Sequence, residues 1–361
     1  MLKMMNWQCE TPTCPVFLEA YRKMCRHKKG LVVTVVVVAI VAGAAMRVLP
    51  SSGDEMRRSA VVVERRSCWE ITAGNKAQLW FSTADSDTTL HNISASQRDA
   101  ESVTLAGGCW MNRWPAVPSC RGRVVTVLPQ VTQANIMKPS WTSQQVRGLL
   151  EKAQRDINDS LQWAHSEDSE LQYYLRVHGV QDMGYQQIAA VATKVKAKVK
   201  ELEQTKAAID SLLANTALPL GLRHKTTFTV HYRNGEGKNA TAQCRLVNTD
   251  KRHRMALLQT LDETTPDGVK AQYLLPWNTT NHRLIAVGFG GIGIEQMASA
   301  AAKPQLINGR RKRARHNFPR VLVTDGCPLF TPRGLFAGIA EGKNVEGRGN
   351  VSLLMMKGGW Q

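Results

Sequence analysis

The alternation of apolar and polar positions divides the chain into four textures. From Leu31 to Met46 the run LVVTVVVVAIVAGAAM is apolar apart from Thr34, and Val48 and Leu49 extend it past Arg47. A helix that crosses a membrane needs roughly 17 to 25 apolar residues, so a span over 31–49 is expected, at the short end of the range and with Arg47 snorkelling. A buried core helix fits less well, because a helix packed on a protein surface keeps a polar stripe. From Cys68 to about Gln133 come short runs, AQLWF, SVTLA and RVVTVL, with Gly, Pro, Asn and Asp between them. Such runs read as strands.

The period then changes from two to about three and a half. Thr142 followed by Gln145 forms a capping-box pattern, and Val146, Leu149, Leu150, Ala153, Ile157 and Leu161 recur at helical spacing. Gly179 and Gly184 interrupt this helix. Ile188, Val195, Leu202 and Ile209 then fall seven residues apart, with Val191, Val199 and Leu213 between them, until Pro219 and Gly221 stop the pattern. Two long amphipathic segments joined by a Gly-bearing turn predict an antiparallel, coiled-coil-like helical hairpin. Lys194, Lys196, Lys198 and Lys200 read as its solvated face. From Thr226 the strand texture returns, in TFTVHY, AQCRLV, MALLQTL, RLIAVGF, PRVLVT, LFAGIA and VSLLMM.

Charge orients the anchor. Arg22, Lys23, Arg26, Lys28 and Lys29 precede the apolar run, which keeps residues 1–30 cytoplasmic and places the body in the periplasm or outside the cell. Ala42, Ala44 and Ala45 also suit a cleaved signal peptide, although a thirty-residue tail is long for one. Residues 50–66 read as a polar stalk that turns into a strand near Val61. The net charge of +18 is compatible with anionic lipid or polyanionic partners and says nothing about fold. Of the eight cysteines, Cys9, Cys14 and Cys25 lie in the tail, and Cys109 and Cys120 are the expected bridge in the body, although connectivity does not follow from sequence. No metal-ligand spacing and no phosphate-cradling loop stands out, so neither metal nor cofactor is expected.

Four blocks in order carry a family resemblance. GGCWMN with RGRVVTVLPQV, TFTVHYRNGEGKNATAQCRLVNTDKRHRMALLQTL, LIAVGFGGIG and VTDGCPLFTPRGLFAGI resemble successive segments of trypsin-like serine proteases of the HtrA type. The resemblance implies a double β-barrel. With the hairpin and the span read from the residue pattern, the expected fold is mainly β with a helical insertion: a trypsin-like double β-barrel, an antiparallel hairpin and one N-terminal transmembrane helix, divided into a tail (1–30), a span (31–49), a stalk (50–66), the first part of the barrel domain (67–140), the inserted hairpin (141–218) and the rest of the barrel domain (219–361).

Catalysis in that family needs a hydroxyl, an imidazole that takes its proton and a carboxylate that orients the imidazole. In the best registration these positions fall on Asp325, Pro129 and Arg254. None of the three has the required group. The oxyanion glycine becomes Val323, and the next family glycine becomes Thr324. His91 and Asp250 are substitutes only under a different registration, and Cys327 is a displaced nucleophile candidate for which structural burial is the stronger reading. The expectation is therefore a membrane-anchored pseudoprotease that binds a protein or peptide. An active endopeptidase of serine or unorthodox type, and an interaction protein built on the hairpin, are the alternatives. Val323, Thr324, Gly326 and Cys327 are candidate binding residues, together with the basic run Arg310, Arg311, Lys312 and Arg313, read as a loop before the lost nucleophile. The hairpin is the expected oligomerisation surface, and nucleic acid is not among the expected partners.

Overall fold

The computed structural model describes residues 50–85, 88–112, 121–127, 141–250, 254–273, 282–289, 304–312, 315–319, 321–341 and 349–352. The expected span at 31–49 lies outside them, and among the described residues no helix is long and apolar enough to cross a membrane. Residues 50–66 are not a stalk. Ser52 and Glu55 form a reciprocal capping box that starts helix α1 (Gly53–Ser59), and strand β1 (Ala60–Ala73) follows without a break. Met56 and Ser59 are buried, so this segment belongs to the body.

The first sheet contains β1, β2 (Lys76–Phe81), β5 (Ser102–Met111), β6 (Arg123–Val127), β7 (Leu220–Arg233), β8 (Asn239–Asp250) and β9 (Met255–Thr260) in the order β2-β1-β5-β6-β9-β8-β7. β1 also pairs with β7, from Val62 opposite His231 to Ala73 opposite Leu220, and this pairing closes the sheet on itself. The continuous apolar stretch at the start of β1 follows from this position, since a strand buried on both faces loses its polar alternation. Val61 and Val63 point into the barrel with Trp110, Val124, Phe228 and Leu258. Ala60 and Val62 point the other way, into a core shared with the second barrel.

That second barrel is closed, in the order β10-β11-β12-β15-β14-β13. Its strands are β10 (Arg283–Gly288), β11 (Gln305–Lys312), β12 (Arg315–His316), β13 (Pro328–Phe330), β14 (Phe336–Glu341) and β15 (Gly349–Ser352). All pairings are antiparallel. The short strands β3 (Thr83–Ala84) and β4 (Leu90–His91) form a separate ribbon, and α2 (Gln97–Ala100) leads into β5.

The inserted hairpin is α3 (Ser143–Val177) and α4 (Tyr185–Ala214). Thr142 and Gln145 make the expected capping box, and Gly184, at φ 89°, supplies the left-handed residue before α4. Its base packs Val146, Leu150, Ile157, Ile209 and Leu212 against Trp69, Ile71, Leu79 and Phe81 of the first sheet. The heptad seam does not run the full length. Ala164 is the last buried residue of α3 and Ala192 the first of α4, whereas Val191, expected in the seam, is exposed. A continuous coiled coil is therefore not what the hairpin forms; the sheet buries its proximal half. Lys194, Lys196, Lys198 and Lys200 are exposed, as a solvated face requires.

Candidate functional site

The two barrels meet where Gly107 of β5 crosses the turn Thr324–Cys327. The Gly107 N–H donates to the Asp325 carbonyl at 2.6 Å. A Cβ on Gly107 would lie 2.6 Å from the Cys327 nitrogen, and one on Gly326 2.0 Å from the Gly107 oxygen. Gly326 also has φ 87°, a left-handed conformation that L side chains rarely adopt. The Gly326 N–H donates to Ala340 of β14 at 2.7 Å, and the Ala340 N–H returns a bond to Cys327 at 2.8 Å. The GCPLF block thus joins the barrels backbone to backbone.

Asp325 sits at this seam and lines a cavity of about 70 Å³ at the mouth of the first barrel, with Arg65, Thr104, Thr126 and Phe228. Burial lowers the pKa of Arg65, and its Nε is buried without a hydrogen-bond partner among the described residues. Arg254, at φ 51° in the turn between β8 and β9, reaches the same seam from the first barrel. Its Nη1 donates to the Glu341 carboxylate at 2.9 Å, and Glu341 follows the residue that accepts from Gly326. The Arg254 guanidinium and the Gly326 amide thus meet adjacent residues of β14, while Pro129 lies outside the described residues.

The loop before Asp325 turns its amides inward. The Val323 N–H donates to the Pro319 carbonyl at 2.9 Å, and the Leu322 N–H shares that acceptor at 3.1 Å. Both amides are thus satisfied within the loop. Cys327 is fully buried, and burial pushes its thiol up to about 11, so it is a thiol at neutral pH. Val323 is also buried, and neither side chain is presented to a ligand. Thr324 is half-buried and its hydroxyl lies 3.4 Å from the Cys327 sulfur.

The remaining candidates are dispersed. His91 pairs with Asp85 at 2.8 Å on the β3–β4 ribbon, whose Leu90 belongs to the core under the hairpin. Asp250 ends β8, opposite Met255. Cys109 is a free, fully buried thiol in the core between the barrels, and Cys120 lies outside the described residues. The basic run is not a loop: Arg310, Arg311 and Lys312 end β11 and Arg315 starts β12, with Arg313 outside the described residues. Sequence reading missed Arg65 and Glu341. Arg65 carried a usable signal, a charge two residues beyond Val63 on the inward-facing register of an otherwise apolar strand.

No family model and no curated protein matches the sequence. Among solved structures, the fold is similar to the crystal structure of Deg5, at 11% identity and TM-score 0.34 over 82% of this chain and 85% of that one. It is also similar to the MamO protease domain from Magnetospirillum magneticum in its apo form, at 18% identity and TM-score 0.25 over 34% of this chain and 68% of that one. Similarity at this level carries no argument about chemistry. The protein is mainly β, with two barrel-forming sheets and a helical hairpin, an architecture consistent with the trypsin-like fold.

Proposed function

We propose that this protein is a membrane-anchored pseudoprotease whose seam between barrels holds a protein or peptide partner without hydrolysing it. The Val323 amide supports this reading most directly, because a site that cannot receive an oxyanion loses its largest source of rate. The Arg254–Glu341 pair supports it too, since a guanidinium at the position registered for the carboxylate would oppose an imidazolium. The cavity at Asp325 and Arg65 gives the partner a polar contact of mixed charge. The apolar run at 31–49 supports the anchor, with residues 1–30 in the cytoplasm and the body on the far side.

The test is hydrolysis of fluorescent casein by the purified full-length protein, with and without a serine-reactive phosphonate. No turnover above background is expected. Turnover that disappears in Asp325→Ala or Cys327→Ala would establish an active peptidase instead.

A second reading is favoured by the hairpin. Trp163, Tyr173, Val177, Val180 and Met183 are exposed on its distal half, Met183 at 98%. Beside Trp163 runs a groove of about 580 Å³ between the hairpin and β4, lined by Leu90, Ile157, Leu202, Asp156 and Lys198. The hairpin then acts as the docking or self-association arm. Substituting Trp163 and Tyr173 with Ser should remove a partner that binds there and leave one that binds at the seam.

A further inference from the structure

Four cations stand in register on the outer face of the second barrel. Arg283 of β10 lies opposite Arg310 of β11, and Lys312 lies opposite Arg315 of β12. All four are exposed. Strand alternation places Leu306 and Asn308 on the same face. The intervening residues turn inward: a Cβ on Gly309 would meet the Phe318 ring at 2.4 Å. Burial lowers the pKa of Arg311, which lies opposite the buried His316.

Like charges directly opposite one another weaken an antiparallel pair. Some other cations of the fold are matched, Arg57 by Asp54, Arg245 by Glu263 and Lys270 by Glu55. Among the described residues Arg283, Arg310 and Lys312 have no carboxylate partner. An external anion would relieve this repulsion.

The position of the ladder indicates which anion. Ser51, where the chain enters the body, is fixed by its N–H to the Gly334 carbonyl at 2.9 Å. Gly53 packs over the outer face of β11, where an added Cβ would lie 3.1 Å from Leu306 Cδ1. Pro50 alone separates Leu49 from Ser51, a reach of at most about 7 Å. Arg310 follows Leu306 by four residues, about 13 Å along the strand. A bilayer that ends its span at Leu49 therefore lies beside this face.

We propose that Arg283, Arg310, Lys312 and Arg315 form a docking face for the anionic phospholipid headgroups of the membrane from which the chain emerges. The anchored reading supplies the location of the bilayer; the charge ladder stands without it. Exposed cations near an anionic leaflet are each attracted to it, and the attraction fades within a Debye length of about 8 Å. Occupied headgroups offset the repulsion across β10–β11 and β11–β12, so these strands exchange their amide hydrogens more slowly.

The experiment reconstitutes the full chain in bilayer nanodiscs of phosphatidylcholine alone or mixed with phosphatidylglycerol, and follows hydrogen exchange over residues 305–316. Severalfold slower exchange is expected in the anionic discs, reversed by salt at about 0.5 M. The double variant Arg310→Glu, Lys312→Glu should lose the lipid effect. It should also fold at least as well as the wild type, because each Glu then faces an Arg, and a melting curve checks this. Equal exchange in both discs, or an undiminished lipid effect in the double variant, overturns the proposal. Slowing by heparin or duplex DNA in neutral discs as strong as that by phosphatidylglycerol overturns it in favour of a soluble polyanion. Co-flotation with neutral vesicles reports the anchor separately. If the chain fails to float there, the same exchange measurement on protein added to phosphatidylglycerol vesicles still decides the ladder.

Discussion

Replacing Gly107 by Ala tests the joint between the barrels. The new methyl would sit 2.6 Å from the Cys327 nitrogen and 2.9 Å from the Cys327 Cα, both backbone atoms that cannot rotate away. Reaching the 3.4 Å at which ordinary contact begins means parting the strands by about 0.8 Å. That breaks the bond from the Gly107 N–H to Asp325, worth about 1 kcal/mol, and adds overpacking of about 1–3 kcal/mol. The lower entropy of an unfolded Ala offsets about 0.4–1 kcal/mol. The net loss is about 1–3.5 kcal/mol. Unfolding entropy near 2.1 cal/mol/K per residue over a body of roughly 300 residues converts this to a fall in Tm of about 2–6 °C. The internal control is Gly148→Ala: this α3 position has nothing within 4 Å of an added Cβ. That change should stabilise by about 0.5–1 kcal/mol through helix propensity. Both are read by thermal unfolding monitored by circular dichroism. If Gly107→Ala melts at or above the wild type while Gly148→Ala behaves as stated, the close approach of Gly107 to Gly326 is wrong.

Four further outcomes follow from the structure. Burial pushes the thiols of Cys68 and Cys327 up to about 11 and that of Cys244 up to about 12, so peptide mapping after iodoacetamide at neutral pH should show all three unmodified until the protein is unfolded; rapid labelling of Cys327 in the native state would contradict its burial. The Arg254–Glu341 pair is part-buried, and a double-mutant cycle with Ala should give a coupling of about 1–2 kcal/mol; additive losses would show that the pair does not hold the barrels together. Burial raises the pKa of Glu64, but bonds from His231 and Arg66 outweigh it and hold the carboxyl below its ordinary 4.5. Stability from this group is therefore present above the unfolded pKa and lost as pH falls through the lower folded value, so the acid branch of a stability–pH curve should be shallower in Glu64→Gln. Removing the α3 cap with Thr142→Ala should lower stability by about 1 kcal/mol in urea unfolding.

Local rules that depend on neighbours in sequence were legible. The box of Thr142 and Gln145 and the glycine before α4 are fixed by backbone groups within a few residues, and each appears where the pattern places it. Features decided by distant partners were not. Residues 50–66 look like a linker because Asp54, Glu55, Arg57 and Arg58 are polar, yet Met56, Ser59 and the valines that follow are buried by strands more than forty residues away. The basic run resembles a solvated loop because charge alone carries no period; the inward turn of Arg311 between Arg310 and Lys312 shows only once β10 and β12 flank it. At the seam, registration named Arg254 and Asp325, but Glu341 and Arg65 join them through the contact between barrels, which no local pattern encodes.

The closure of the first sheet also sets a schedule for folding. β1 leaves one edge open until β7 arrives, and the first matched residues, Val62 and His231, are far apart in the chain. Synthesis at roughly 5–20 residues per second puts about 8–34 s between them. During that interval the apolar start of the strand, AVVV, is unpaired on one side, the kind of edge that recruits other chains. The hairpin shortens the search: Leu220, at the start of β7, donates to the Ser143 hydroxyl at 3.0 Å, and Arg147 reaches the Leu218 carbonyl at 3.0 Å. Once α3 and α4 have zipped together, β7 starts beside the first turn of α3, and the segment between them no longer contributes to the length of the loop to be closed.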